Sequence, residues 1–257
     1  MTFYDTHCHF DFPPFSDDEA NSLALAAQVG VEKIIVPAIE ADRFNTVLAL
    51  AENYPALYAA LGLHPIVIHQ HNDLSLALLE HHLLQRPKKL VAIGEIGLDL
   101  YMENPLFDKQ EAMLDAQLKL AKRYDLPVIL HSRRTHDKLA AHLKRHNLPR
   151  TGVVHGFSGS LQQAERFVTM GYKIGVGGTI TYPRASKTRD VMARLPLSAL
   201  VLETDAPDMP LNGWQGQPNR PERIVNVFQT LSMLRSESPE VIANAIVNNC
   251  NELFSMK

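Results

Sequence analysis

Short apolar runs alternate with longer amphipathic stretches from one end of the chain to the other. Several of the short runs are apolar and β-branched throughout, which is typical of strands buried on both faces of a parallel sheet. The pattern predicts eight strands, at residues 2–8, 33–37, 56–61, 90–95, 127–131, 152–155, 173–176 and 199–205.

The segments between these runs have the spacing of apolar residues that is typical of helices. Residues 18–29 and 44–53 each place apolar side chains three and four positions apart on one face. Residues 108–124 open with Asp108 and have Glu111 three positions on, which predicts an aspartate version of the capping box. The last helix is expected to begin at Ser238 and Pro239, an N-cap followed by proline at the first helical position.

Regular alternation of eight strands with helices predicts an α/β fold, a single-domain (β/α)₈ TIM barrel over residues 1–257. A doubly wound open sheet is the alternative. The length of 257 residues suits one such domain, and no low-complexity segment or flexible linker divides the chain. Residues 208–221 follow the eighth strand as a long loop, and long loops at that position of a barrel are commonly functional.

Composition narrows the possible partners. The formal net charge is −3, which argues against a broad basic surface that coats duplex DNA. It still allows a DNA end, a single strand or a small phosphoester to enter a pocket lined by metal ions. Two cysteines, far apart in the chain, favour a reducing cytosol. No signal peptide or membrane-spanning run is recognisable, so we expect a cytoplasmic monomer with no membrane partner.

Polar residues gather where the predicted strands end. In a barrel the carboxyl ends of the strands meet at one mouth, where barrel enzymes keep their active sites. In His7-Cys8-His9 the two imidazoles are two residues apart on a strand, so both can face into the barrel. The strand ends together supply six candidate metal ligands, namely His7, His9, Glu95, His131, His155 and Asp205.

A mixed nitrogen and oxygen ligand set suits zinc, manganese, magnesium or a similar divalent cation. Six ligands exceed what one catalytic zinc needs. Two cations bridged by a carboxylate use the set better, and Glu95 lies on the strand between the two histidine groups.

At this point the chain resembles the TatD family of metal-dependent deoxyribonucleases, within the wider amidohydrolase-like barrels. The matching motifs, in the family's order, are DTHCH (5–9), GLHP (62–65), GEIGLD (94–99), HSR (131–133), HGFSG (155–159), ETDAP (203–207) and NRP (219–221). The resemblance implies that His7, His9, Glu95 and Asp205 hold one ion, and that Glu95, His131 and His155 hold the other. It departs at residues 100–104, which read LYMEN where family members often have paired tyrosines and a short basic stretch.

The expected mechanism is hydrolysis by a water molecule activated by the two cations, with Asp205 as the general base and Glu95 as the second catalytic carboxylate. Arg133 is expected to bind a phosphate oxygen or, alternatively, to form a salt bridge at the rim. His64 is expected to contact the substrate or to cap its loop. Glu203 shares a strand face with Asp205, and its role stays open.

Three functions compete. The leading hypothesis is a phosphodiesterase, most concretely a deoxyribonuclease acting on DNA ends or single strands. The second is a dinuclear hydrolase of a small-molecule ester, lactone or amide. The third, a metal-binding scaffold without catalysis, fits poorly because structural metal sites are closed and use fewer residues. The remaining histidines, including His71 and His142, are expected at the surface.

Overall fold

Eight parallel strands form one sheet in which each strand pairs with the next along the chain. The computed structural model describes residues 1–256. The strands are β1 (Phe3–Asp5), β2 (Val31–Pro37), β3 (Leu57–Leu61), β4 (Leu90–Asp99), β5 (Val128–Arg133), β6 (Gly152–Val154), β7 (Lys173–Val176) and β8 (Leu200–Leu202).

The sheet closes on itself between the first and last strands. The Thr6 backbone N–H donates to the Leu202 carbonyl at 3.1 Å, and the Asp205 N–H donates to the His7 carbonyl at 2.8 Å. A parallel bridge joins Cys8 and Ala206 beyond them. The predicted (β/α)₈ barrel is confirmed, and the open sheet is excluded because this closure leaves no free edge.

Helices follow the strands and cover the outside of the barrel. They are α1 (Glu19–Gln28), α2 (Phe44–Asn53), α3 (Asp73–Leu84), α4 (Phe107–Tyr124), α5 (His136–His146), α6 (Leu161–Thr169), α7 (Ser186–Arg194), α8 (Ile224–Leu234) and α9 (Pro239–Phe254). Ser238 caps α9 by accepting from the Val241 N–H, as its sequence predicts. No helix within residues 1–256 is long and apolar enough to cross a membrane.

The predicted capping box of α4 is wrong. The helix begins at Phe107, so Asp108 lies inside the first turn and caps nothing. Gln110 fixes the start of the helix instead, because its side chain exchanges two hydrogen bonds with the backbone of Asp99 at 2.8 and 2.9 Å. Glu111 turns away and meets the His142 ring at 3.0 Å.

The amino-terminal end of the barrel is closed by the end of the chain. Leu253, Phe254 and Met256 are buried in one apolar cluster with strand residues that include Ile35 and Ile129. The Lys33 ammonium donates to the Met256 carbonyl at 3.0 Å and holds this segment in place. Access to the barrel interior is therefore left to the opposite end.

Candidate metal centre

Four side chains from three strand ends converge at the barrel mouth. Nε2 of His7 lies 3.3 Å from Nε2 of His9 and 3.0 Å from Oε2 of Glu95. Oδ1 of Asp205 lies 3.5 Å from each of the two imidazole nitrogens, and the His9 nitrogen lies 3.5 Å from the Glu95 oxygen. His7 and Glu95 are almost fully buried.

These spacings fit a divalent cation. A tetrahedral ion with bonds of about 2.1 Å needs ligand atoms roughly 3.4 Å apart. Five separations among the four atoms run from 3.0 to 3.5 Å. Two nitrogens and two carboxylate oxygens are also a donor set that zinc or manganese accepts.

The other oxygen of Glu95 faces a second group of imidazoles. Oε1 lies 2.9 Å from Nε2 of His64, 2.9 Å from Nε2 of His155 and 3.2 Å from Nδ1 of His131. One carboxylate therefore stands between two clusters of donor atoms, as a bridging ligand would.

His64 differs from the other imidazoles in its hydrogen bonding. Its Nδ1 accepts from the Ile66 backbone N–H at 2.9 Å, so Nε2 carries the proton of the neutral ring. That proton points at Glu95, which makes His64 a donor to the carboxylate. Burial lowers the pKa of His64 to about 4, against the opposing charge of Glu95, so the ring is neutral. His64 thus both caps its loop and reaches the centre.

Asp99 orients His131. Its Oδ2 lies 2.7 Å from Nε2 of His131, so this nitrogen donates to the carboxylate and Nδ1 is left as an acceptor toward the centre. Burial favours the neutral acid, but the hydrogen bonds from His131 and the Tyr101 N–H, together with the charges of His131 and Arg133, outweigh burial and lower the pKa of Asp99. A carboxylate behind a histidine is the usual support of a metal-ligating imidazole.

Glu203 occupies the same position behind His155. Its Oε1 accepts a short hydrogen bond from the Gly156 N–H and lies 3.6 Å from Nδ1 of His155. The side chain is buried against Gly175, where a β-carbon would lie 2.4 Å from Oε2. Glycine at 175 is thus required by the carboxylate beside it.

A buried aspartate ties the two strands that supply His7 and Asp205. Asp5 accepts from the Thr204 hydroxyl at 2.6 Å and from the backbone N–H groups of Thr204 and His7. Burial raises the pKa of Asp5 to about 7, with these hydrogen bonds acting in the opposite direction. The link holds the two ligand-bearing segments in a fixed relation.

The electrostatic field of the centre favours ionised Glu95. Burial opposes its ionisation, but the interactions with the surrounding imidazoles of His64, His155 and His7 and the hydrogen bond to His131 together outweigh burial and hold its pKa well below the usual value. The site therefore presents an ionised carboxylate to a ring of imidazoles, which suits a pair of cations.

The centre forms the floor of an open cavity of about 910 Å³. Arg133 lines it and forms no ion pair within residues 1–256, so the predicted alternative of a rim salt bridge is wrong. Two other predictions also fail. His71 is buried and donates to the His64 carbonyl at 2.7 Å, and His142 is buried between α4 and α5.

All eight residues expected at the site line the same mouth or lie directly beneath it: His7, His9, His64, Glu95, His131, Arg133, His155 and Asp205. The sequence patterns leave the roles of Asp99 and Glu203 open. Both lie within recognised motifs, and the signal that identifies them is a carboxylate a few residues from a candidate ligand at the same strand end.

Comparisons with known proteins place the chain in a sequence family. Residues 4–255 match the sequence family described as TatD related DNase. The chain is 71% identical over 254 residues to a metal-dependent hydrolase, YjjV, of Escherichia coli K12, covering 99% of this chain and 98% of that one. The crystal structure of YjjV, described as a TatD homologue, superposes with a TM-score of 0.98 and 70% identity, over 99% and 98% of the two chains. The chain is also 30% identical over 253 residues to a protein of Pantoea sp. named 3'-5' ssDNA/RNA exonuclease TatD, covering 94% and 95%.

Proposed function

Because the chain belongs to the TatD family of metal-dependent hydrolases, we propose that it cleaves phosphodiester bonds at the end of single-stranded nucleic acid. The observation that carries this proposal is the position of Glu95, whose two oxygens face separate clusters of imidazole nitrogens at the floor of an open cavity. The choice of substrate is supported by the relative from Pantoea sp., which is named a 3'-5' ssDNA/RNA exonuclease.

Two divalent cations are proposed for the centre. His7, His9, Glu95 and Asp205 would hold one, and Glu95, His131 and His155 would hold the other. Cations in these positions supply Lewis acidity, which polarises a phosphoryl oxygen and lowers the pKa of a water molecule. Zinc, manganese and magnesium all suit the donor atoms.

Three side chains around the cations are proposed to accept a proton or to bind the phosphate. Asp205 is partly exposed to the cavity, with 22% of its side chain accessible, and accepts a proton from the attacking water. Arg133 binds a phosphate oxygen with guanidinium N–H groups that no carboxylate occupies. His64 carries its proton on Nε2, so it is not a metal ligand. Its Nε2–H donates a hydrogen bond to Glu95 or, when substrate is bound, to a phosphate oxygen.

Hydrolysis of a single-stranded oligonucleotide by metal-loaded protein tests the proposal. Wild-type protein is expected to release nucleotides from one end, and Glu95→Ala with Asp205→Ala is expected to abolish release. Glu32→Gln is the matched control, because this carboxylate is exposed near the opposite end of the barrel, bound by the Thr2 hydroxyl.

The small diester bis(p-nitrophenyl) phosphate separates the outcomes. Cleavage of the oligonucleotide by wild type and Glu32→Gln alone supports the proposal. Cleavage of the small diester without the oligonucleotide would move the substrate to a small phosphoester. No cleavage of either by protein with bound metal would overturn the proposal. The cytoplasmic location and the monomeric state stay predictions from the sequence.

A further inference from the structure

An exposed tyrosine and two arginines form a stacked group at the rim of the cavity. The guanidinium carbon of Arg133 lies 3.7 Å from the centre of the Tyr101 ring, and that of Arg134 lies 4.5 Å from it. The tyrosine is 52% exposed, and both arginines are exposed. Arg133 also lines the cavity, so the group continues outward from the site.

The main chain fixes this group relative to the candidate centre. Asp99 of β4 is paired with Arg133 of β5, and the Leu100 N–H donates to the Arg133 carbonyl at 3.0 Å. The Tyr101 N–H donates to Oδ1 of Asp99 at 2.8 Å, while the other oxygen of Asp99 binds His131. One carboxylate thus anchors both the tyrosine and a proposed metal ligand.

Neither guanidinium group forms a salt bridge, although the charge of Arg133 acts on Asp99 at longer range. Eight of the fourteen arginines are paired with an acidic side chain: Arg43, Arg123, Arg145, Arg150, Arg166, Arg194, Arg220 and Arg235. Within residues 1–256 the other six form no such pair, and of these only Arg133 and Arg134 are adjacent in the chain, which carries a net charge of −3. Two unpaired cations next to each other on an acidic protein are suited to an anion.

We propose that Tyr101, Arg133 and Arg134 form a second phosphate-binding subsite, which holds the backbone phosphate next to the scissile one where a single strand leaves the cavity. The proposal rests on the proposed function and adds that the enzyme selects polynucleotides over isolated phosphodiesters. Tyr101 positions the two guanidinium planes by stacking, and their N–H groups bind the phosphate oxygens. Arg133 spans both subsites, whereas Arg134 serves only the outer one.

Arg134→Ala and Tyr101→Leu test the outer subsite. Each is expected to lower kcat/KM on a single-stranded oligonucleotide about 10-fold, mainly through KM, because one charge-assisted contact is lost or misplaced. Arg134→Ala should not change kcat/KM on bis(p-nitrophenyl) phosphate, which has one phosphate only. Tyr101→Leu should lower it as well, because Arg133 loses the ring that positions it. Tyr101→Phe keeps the ring and should stay near wild type.

Arg123→Ala is the matched control. It removes the same charge from the last turn of α4, where Arg123 is exposed and paired with Glu80. It is expected to leave both substrates unaffected. Thermal unfolding of every variant shows whether the fold is retained.

Binding provides a readout independent of turnover. A fluorescent oligonucleotide with phosphorothioate linkages, which resist hydrolysis, reports affinity by anisotropy with metal-loaded protein. Arg134→Ala should reduce the slope of log K against log salt concentration by about 0.7, since one phosphate contact to a single strand is lost. Arg123→Ala should keep the wild-type slope.

The outcomes distinguish the two proposals. If wild type cleaves the oligonucleotide but Arg134→Ala changes neither affinity nor salt slope, the outer subsite is overturned alone. Equal losses on both substrates in Arg134→Ala would also overturn it, since they indicate damage to the centre. If wild type cleaves neither substrate while oligonucleotide affinity still depends on Arg134, the proposed function fails and the subsite stands.

Discussion

The two ends of the barrel are built from the same eight strands but bury opposite kinds of side chain. The mouth buries His7, Glu95 and Glu203, all with about 1% exposure or less. The amino-terminal end buries Phe254 and Met256 against apolar strand residues, with 2% and 5% exposure. Burial is equally complete at the two ends, but the interaction that compensates for it differs.

At the closed end, burial itself is stabilising, because apolar surface leaves water. At the mouth, burial of ionisable groups opposes folding unless each group finds a partner. Glu95 finds its partners in surrounding imidazoles, and those of His7, His131 and His155 belong to the two proposed metal sites. The closed end therefore supports the fold, whereas the mouth keeps buried ionisable groups that are stable only with their partners in place.

Replacement of Glu95 should have the largest effect on activity relative to its effect on stability. We expect Glu95→Gln to lower kcat/KM by about three orders of magnitude, because the shared ligand of both proposed cations loses its charge. The metal-free protein should lose less unfolding free energy than this loss of activity represents, because the glutamine fills the same space, although the imidazoles around it lose their ionised partner. Steady-state hydrolysis and urea unfolding in chelator measure the two quantities. Three orders of magnitude in kcat/KM correspond to about 4 kcal/mol of transition-state stabilisation. A loss of unfolding free energy of that size would contradict the division of roles between the two ends of the barrel.

Truncation at the closed end should give the reverse result. Phe254→Ala is expected to lower the unfolding free energy by about 3–5 kcal/mol, through lost burial and the cavity that remains. The value of kcat/KM per folded molecule should stay within about twofold of wild type. Phe254→Leu, which keeps most of the volume, is the control and should cost less. Loss of kcat/KM in the folded fraction would mean that the closed end also shapes the mouth.

Replacement of Asp99, which binds the ring of His131, should have a smaller effect on activity than replacement of Glu95. Asp99→Asn keeps the shape of the side chain but weakens its hydrogen bond to His131. Affinity for the second cation should fall about 10–100-fold, as is usual when the partner of a ligating histidine is changed. Isothermal titration of the metal-free protein with zinc measures this directly. Unchanged affinity would remove His131 from the proposed ligand set.

Much of this arrangement could be predicted from the sequence, and the reasons for the exceptions are specific. His7 and His9 were recognisable because side chains two apart on a strand share a side. The contact of Tyr101 with Arg133 was not, because it depends on the β4–β5 register, which shifts between Ile93 and Ile96. Such a shift in register cannot be recognised from the sequence of either strand alone.

The burial of His142 escaped prediction for a different reason. A histidine on an amphipathic helix is usually solvated, and nothing within α5 shows what the neighbouring helix presents. In the fold, Asp115 and Glu111 of α4 face both nitrogens of the ring, at 2.8 and 3.0 Å. The partners lie 27 and 31 residues away, so only the packing of α4 on α5 brings them together.

This cluster between α4 and α5 gives the smallest expected effect, and it tests whether ionic groups away from the mouth act only on stability. Asp115 is bound by His142, His146 and Arg145. Burial opposes its ionisation, but these three partners outweigh burial and lower its pKa from 3.8 to about 2. A lowered pKa means that the ionised form stabilises the fold above pH 4, and that this contribution is lost as the pH falls through 2.

Asp115→Asn should therefore lower the unfolding free energy by about 1 kcal/mol at pH 7, a value reduced for partial exposure. The difference from wild type should shrink at pH 3, where the unfolded chain is already mostly protonated at this position. Urea unfolding at the two pH values measures it, with Asp190→Asn as control because Asp190 pairs with Arg194 at the surface. In the opposite case, Asp115→Asn would lower kcat/KM and leave the unfolding free energy unchanged. That result would mean that the helices outside the barrel contribute to catalysis, and it would contradict the assignment of function to the mouth alone.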